Sequence, residues 1–263
     1  RHTEKGDVAL EVRGLSLPAP GAFGTPLRDL TFEVRAGEVL GIGGVAGNGQ
    51  DELLSALSGE RSCPAGSIFL KGTDVSRQGP NARRAAGLLS APEERLGHAA
   101  APNMSLVENA VLTAGKRKGL VKNGMIGWPR ARAFAEEVIT RFDVRTPGPH
   151  VAARALSGGN LQKYVVGREI LQDPEVLIIN QPTWGVDAAA AAAIRQALLD
   201  LAAGGTALVV ISQDLDELVE ISDRFAALNE GRLSPSYPVG ELDMERIGLM
   251  MGGAHDMEAP HAH

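Results

Sequence analysis

The stretch EVLGIGGVAGNGQDEL, Glu38 to Leu53, decides how the chain is read. Val39, Leu40 and Ile42 form an apolar run of strand character that enters a glycine-rich turn, Gly44-Val45-Ala46-Gly47-Asn48-Gly49. The turn opens an amphipathic run suited to a helix. Its spacing is that of the phosphate loop G-x-x-x-x-G-K-[ST], in which bare glycine backbone lets successive amides face phosphate oxygens and a helix N-terminus adds partial positive charge. Gln50 stands at the lysine position and Asp51 at the hydroxyl position. The cradle is therefore expected without its two chemically active side chains. A tight strand-to-helix connection with no ligand is the competing reading, and the rest of the chain has to decide between them.

With 263 residues, of which 44% are hydrophobic and 22% charged, the chain can bury one large core with an attached lobe, or two small ones. Apolar runs fall short of the roughly 18 to 20 residues that cross a bilayer, and no signal-peptide pattern opens the chain. A formal charge of -6 and a pI near 5.6 disfavour a nucleic-acid partner. Cys63 stands alone, which permits no internal disulfide and fits a reducing compartment. Arg1 in place of an initiating Met suggests a piece of a longer polypeptide.

Residues 1–7 are polar and read as a linker. Short alternations from Val8 to Glu38, broken by Pro18, Pro20, Gly21, Gly24 and Pro26, predict antiparallel strands. A helix over Leu53 to Leu57 stops near Gly59, and Ser67 to Leu70 and Ala86 to Ala91 read as strands. Ser105 begins a helix as its cap. Pro129 opens another, with Phe134, Val138 and Phe142 on one face, so the middle third predicts a helical lobe. Lys116-Arg117-Lys118 reads as a solvated turn. Further on come a Ser157-Gly158-Gly159 turn feeding a helix, the four-residue apolar strand Val176 to Ile179, and an alanine-rich helix from Asp187 to Gly204. After these follow a strand at 207–212, a helix to Ile221, a hairpin at 225–231 and a last helix at 242–251. Three histidines in the tail HDMEAPHAH are read as part of a disordered end at 253–263, with no metal site.

Five segments stand in fixed order: the loop 44–51, APEER at 91–95, LSGGN at 156–160, IINQPTWGVD at 178–187 and ISQD at 211–214. Over residues 8–251 this order resembles the nucleotide-binding domain of ABC transporters, most closely the second ATPase domain of simple-sugar and nucleoside importers. The resemblance implies an α/β fold: a RecA-like P-loop core with a mainly parallel sheet, an antiparallel β subdomain and an inserted α-helical subdomain. It places the core at 8–92 and 165–252 and the helical subdomain at about 93–164. It also implies ATP as ligand, held weakly or as ADP in the chain's own site. The implied partners are a second ATPase domain N-terminal in the same polypeptide, permease subunits and, indirectly, an extracytoplasmic solute-binding protein, with no nucleic acid. The implied location is the cytoplasmic face of the bacterial inner membrane.

Position by position, the resemblance implies that Gly44 to Asp51 cradle nucleotide and that no residue of this site catalyses. In competent members the loop lysine neutralises phosphates and its neighbour binds Mg2+. A charge pair 4 Å apart is worth roughly 4 kcal/mol at an effective dielectric of about 20, so Gln50 and Asp51 should weaken triphosphate binding. Asn180 and Gln181 replace an expected metal-binding aspartate and a water-polarising glutamate, and a neutral amide is no general base. Gln213 replaces a γ-phosphate histidine, and Glu93 a metal-contacting glutamine. Ser157, Gly158 and Gly159, with Asn160, keep the signature that in this family closes over the opposing domain's nucleotide, where Mg2+ would be retained. Phe23 reads equally as an adenine-stacking aromatic or as packing, Trp184 as core filling, and Asp187 as a helix cap. A ribosome- or DNA-directed ABC module and a scaffold that binds no nucleotide remain the alternatives; neither basic arms nor coiled-coil insertions favour the first.

Overall fold

The computed structural model describes residues 5–93 and 97–253. Residues 1–4 of the expected linker, Glu94 and Arg95 of APEER, and the tail from 254 lie outside the described residues. In chain order the elements are β1 (Val8–Leu17), β2 (Leu27–Arg35), β3 (Val39–Gly43), α1 (Gln50–Ser58), β4 (Ile68–Leu70), β5 (Thr73–Asp74), α2 (Pro80–Ala86) and β6 (Leu88–Ala91). A second group follows: α3 (Leu106–Ala114), β7 (Val121–Lys122), β8 (Met125–Ile126), α4 (Trp128–Arg141) and α5 (Gly158–Ile170). The rest are β9 (Val176–Asn180), α6 (Ala188–Ala203), β10 (Ala207–Ser212), α7 (Leu215–Ile221), β11 (Arg224–Asn229), β12 (Arg232–Leu233), β13 (Tyr237–Pro238) and α8 (Met244–Met251).

Every residue of β3, β9 and β10 is buried, as befits strands covered on both faces. They form the middle of a sheet ordered β12-β11-β3-β10-β9-β6, with β13 added on β11; the five strands from β11 to β6 run parallel. Alternate side chains divide two cores. Leu40, Ile42, Ile178 and Val209 face α1 and the antiparallel sheet β2-β1-β4-β5, whereas Leu177, Ile179, Leu208 and Val210 face the helical side. The register sets Ser212 beside Gly43 and Ile211 beside Asn180, so three strand ends reach one edge together. That edge is where the phosphate loop, Gln181 and Gln213 emerge. In open parallel sheets the carboxyl ends of the strands are where ligands bind.

The helical unit is organised by buried charge as well as by apolar packing. Ser105 and Glu108 form a capping box on α3, and Pro129 sits in the first turn of α4. Along α5, fully buried Arg168 donates to the carbonyls of Ala99 (2.7 Å) and Asn109 (3.2 Å) and to Glu169 (3.2 Å). Arg84 of α2 reaches the same carboxylate at 2.7 Å. Burial opposes ionisation of Glu169, but Arg84 and Arg168 outweigh it and hold the carboxyl below the usual range.

Several sequence expectations are revised. Arg117 is tied rather than solvated: its guanidinium donates to the carbonyls of Gln172 and Asp173. Trp184 is 62% exposed and fills no core, while Phe23 is fully exposed and so is not packing. The strand at 225–228 pairs with β12 as a hairpin but also joins β3 in the main sheet. Lys5, within the expected linker, bonds to the Gly37 carbonyl and to Asp223. No helix among the described residues is long and apolar enough to cross a membrane.

Candidate functional site

Gly49 carries φ 111°, a left-handed conformation suited to glycine, and caps α1 with no side-chain acceptor. A β-carbon on Gly44 would lie 2.6 Å from the Leu228 carbonyl oxygen, so the loop can pass β11 only as bare backbone. Val45, Ala46 and Gly47 are exposed, Gly49 is buried, and Asn48 and Gln50 are half-buried. In form this backbone suits a phosphate group, with amides and a helix start but without a lysine.

Inside the loop, two amide side chains make a closed set of bonds. Gln50 Oε1 accepts from the Asn48 backbone N–H at 2.9 Å, and Gln50 Nε2 donates to the Val45 carbonyl at 2.8 Å. Asn48 Nδ2 donates to that same carbonyl at 2.8 Å, while its Oδ1 accepts from the Glu230 N–H at 2.9 Å. The Gly231 N–H also donates to the Asn48 carbonyl, and Thr25 Oγ1 donates to that of Gly47. The loop is thereby fastened to the β11–β12 turn on one side and to the segment before β2 on the other.

Next along the edge, Gln181 has φ 53° and its Oε1 accepts from Ser212 Oγ (3.2 Å) and the Gln213 N–H (3.3 Å). Its side chain braces the β10–α7 turn. Asn180 is buried and its Nδ2 has no hydrogen-bond partner, whereas Gln213 is exposed. Behind them, buried Glu217 accepts from Thr183 Oγ1 at 2.5 Å and lies 3.2 Å from Ser212 Oγ and 3.7 Å from Arg195. Burial raises its pKa above the usual glutamate range, against the hydrogen bonds from Thr183 and Ser212. Ser212 has one hydroxyl proton between two acceptors, Gln181 Oε1 and Glu217 Oε2, and a protonated Glu217 relieves that conflict.

Asp51 and Glu93 border a cleft of about 730 Å³ between α1 and the start of α5, also lined by Ser55, His98, Gly158 and Trp184. At α5 the Ser157 hydroxyl caps the helix, accepting from the Asn160 N–H (3.3 Å) and Nδ2 (2.9 Å). Asn160 Oδ1 accepts from the Arg145 N–H. Ser157 and Gly158 are exposed, and Gly159 and Asn160 half-buried, so this turn faces outward. Asp187 caps α6 through the Ala190 N–H, as its position predicts.

Three positions carry more than the sequence reading assigned them: Gln162, whose Nε2 holds the Pro182 carbonyl at 2.8 Å, Ser212 and Glu217. Only their place beside the motifs could have flagged them. At the strand ends Asn180 and Gln181 are neutral and Gln181 Oε1 is committed, so neither position offers an anionic ligand to a cation.

With this geometry established, the fold is that of an ATP-binding cassette. It matches an ATP-binding subunit of an ABC transporter (TM-score 0.70, 24% identity, covering 94% of this chain and 95% of that one). It also matches a dimeric ATP-binding cassette in a post-hydrolysis state bound to ADP and phosphate (TM-score 0.72, 18% identity, 88% and 98% covered). The sequence matches the ABC transporter family model over residues 27–184, more than half of its length, and the chain belongs to that family. Similar proteins include the guanosine import ATP-binding protein NupO of Bacillus subtilis (35% identity, 100% of this chain and 51% of that protein) and the glucose import ATP-binding protein TsgD13 of Haloferax volcanii (39%, 89% and 43%). A ribose import ATP-binding protein, RbsA 1, of Rubrobacter xylanophilus is 35% identical over 97% of this chain and 50% of its own length. The chain spans about half the length of the curated relatives it matches.

Proposed function

We propose that this chain is the second ATPase domain of an importer for simple sugars or nucleosides, with a silent site of its own and a signature turn that completes the site of a partner. Gly44 to Asp51 would hold nucleotide phosphates through backbone amides, and exposed Phe23 would stack on the base. At the strand ends Asn180, Gln181 and Gln213 can orient groups but cannot take a proton from water. The outward turn Ser157–Asn160, at the start of α5, is suited to the γ-phosphate of an opposing domain. That domain would lie N-terminal in the same polypeptide, with permease subunits and a solute-binding protein completing an assembly at the cytoplasmic face of the inner membrane.

The observation that carries the reading is the difference between a loop in which Gln50 already takes a backbone N–H and a carbonyl and a glycine turn left exposed at a helix start. ATP hydrolysis by the purified chain, alone and mixed with a competent domain carrying lysine and glutamate at the positions of Gln50 and Gln181, tests it. The chain alone is expected to show background turnover, and the mixture measurable turnover that Ser157→Arg abolishes. Ordinary turnover by the chain alone, or a mixture indifferent to Ser157→Arg, would remove the proposal.

A further inference from the structure

We infer that Gln50 is a built-in occupant of the phosphate loop: its side-chain amide lies in the cradle, orders the loop without a ligand, and must leave before a phosphate group can enter. The inference rests on the reading of Gly44 to Asp51 as the phosphate site and adds how that site is governed.

The chemistry follows from what glutamine can do and lysine cannot. An ammonium only donates, whereas a primary amide donates and accepts, so one side chain can satisfy both an N–H and a carbonyl of the same turn. Gln50 does this, taking the Asn48 N–H at 2.9 Å and the Val45 carbonyl at 2.8 Å. The Asn48 N–H is one of the loop amides an anion would use. Its partner is already inside the molecule. The fit is close on the far side as well, since a β-carbon on Gly44 would fall 2.9 Å from Gln50 Nε2. Glycine at 44 thus makes room for the amide as well as for the passage by β11.

A loop with three glycines in its six residues, 44–49, is costly to order, because bare backbone loses the most freedom on folding. In a loop with a lysine, bound phosphate can supply the ordering contacts. Here Gln50 and Asn48 supply them: Asn48 Nδ2 and Gln50 Nε2 converge on the Val45 carbonyl, while Asn48 Oδ1 and its carbonyl hold Glu230 and Gly231. The arrangement is neutral and adds no cation to attract an anion. A phosphate entering the loop must break both Gln50 bonds and sits beside the Asp51 carboxylate at the start of α1.

The opposite role for Gln50, donating Nε2 to a bound phosphate, makes the opposite prediction for Gln50→Ala. Calorimetric titration of the chain with inorganic pyrophosphate, and separately with ADP, distinguishes them. Without Gln50 the two internal bonds no longer compete, and pyrophosphate is expected to bind Gln50→Ala roughly tenfold more tightly than wild type. Equal or weaker binding by the variant, or binding by neither form, overturns the inference. Should Gln50→Ala melt far below wild type, side-chain amide exchange of Gln50 in the wild-type chain decides instead. Protection that falls as pyrophosphate is added supports the inference, and protection that rises refutes it. Turnover is a separate matter: ATP hydrolysis by the wild-type chain would end the silent-site reading and leave the direction of the Gln50→Ala effect to stand or fall by itself.

Discussion

Two glycine turns open helices in this chain, and they have opposite fates. Between β3 and α1, Gln50 and Asn48 close the loop on itself and on the β11–β12 turn. At the start of α5 the Ser157 cap and Asn160 satisfy each other, and Ser157 and Gly158 stay exposed. Backbone of the same type is spent inwardly in one place and offered outwardly in the other. The comparison teaches that a phosphate-binding shape takes an anion less readily where a donor already has a partner, as the Asn48 N–H has in Gln50.

The comparison can be broken most severely through the support beneath the exposed turn. Arg168→Met leaves Glu169 with Arg84 as its remaining cation and removes the donor to the Ala99 and Asn109 carbonyls. Removing one partner of a buried ion pair costs about 3–5 kcal/mol, and urea denaturation is expected to show a loss in that range. Next, Ser157→Arg fills the space above the turn. Loss of one preorganised donor costs about 100-fold or more in rate, and that loss should appear in partner-dependent ATP turnover, larger than the about 1 kcal/mol of stability that goes with the Ser157 cap.

On the closed side the effects are smaller. Asn48→Ala removes the contacts to Val45 and Glu230 and should cost about 1–2 kcal/mol, with faster amide exchange at Glu230 as the local signature. Smallest is the effect of Glu217, which lies behind both the Gln181 brace and Thr183. Its pKa is raised, so the folded state favours the acid. The stabilisation is complete below the unfolded value of about 4.3 and is lost as pH rises through the folded value. As pH rises from about 4, wild type should therefore lose stability relative to Glu217→Gln. Parallel curves would show that the carboxyl is not held up.

The two turns were legible in the sequence because glycine spacing between apolar strand and amphipathic helix is a local pattern, and so were the buried strands at 176–179 and 207–212. The partners of Gln50 were not, since an amide's aim depends on backbone the sequence does not display. Helix α2 escaped notice for a related reason: PNARRAA has no apolar face, and its one buried side chain is Arg83, which donates to the Ala56 and Leu57 carbonyls at the end of α1. In the hairpin of β7 and β8 the signal was present, as Asn123-Gly124 take positive φ values of 52° and 76°, the conformation such a pair adopts in tight turns. Trp184 was misjudged because hydrophobicity alone does not place an aromatic inside.

The bonds that Arg168 makes to Ala99 and Asn109, with Arg84 joined through Glu169, yoke three separated pieces of chain into a single lever. Separating those pieces would strand charge in a dry interior, so the ion pairs hold three distant stretches of chain in one arrangement at the end of α5 opposite its exposed glycine turn.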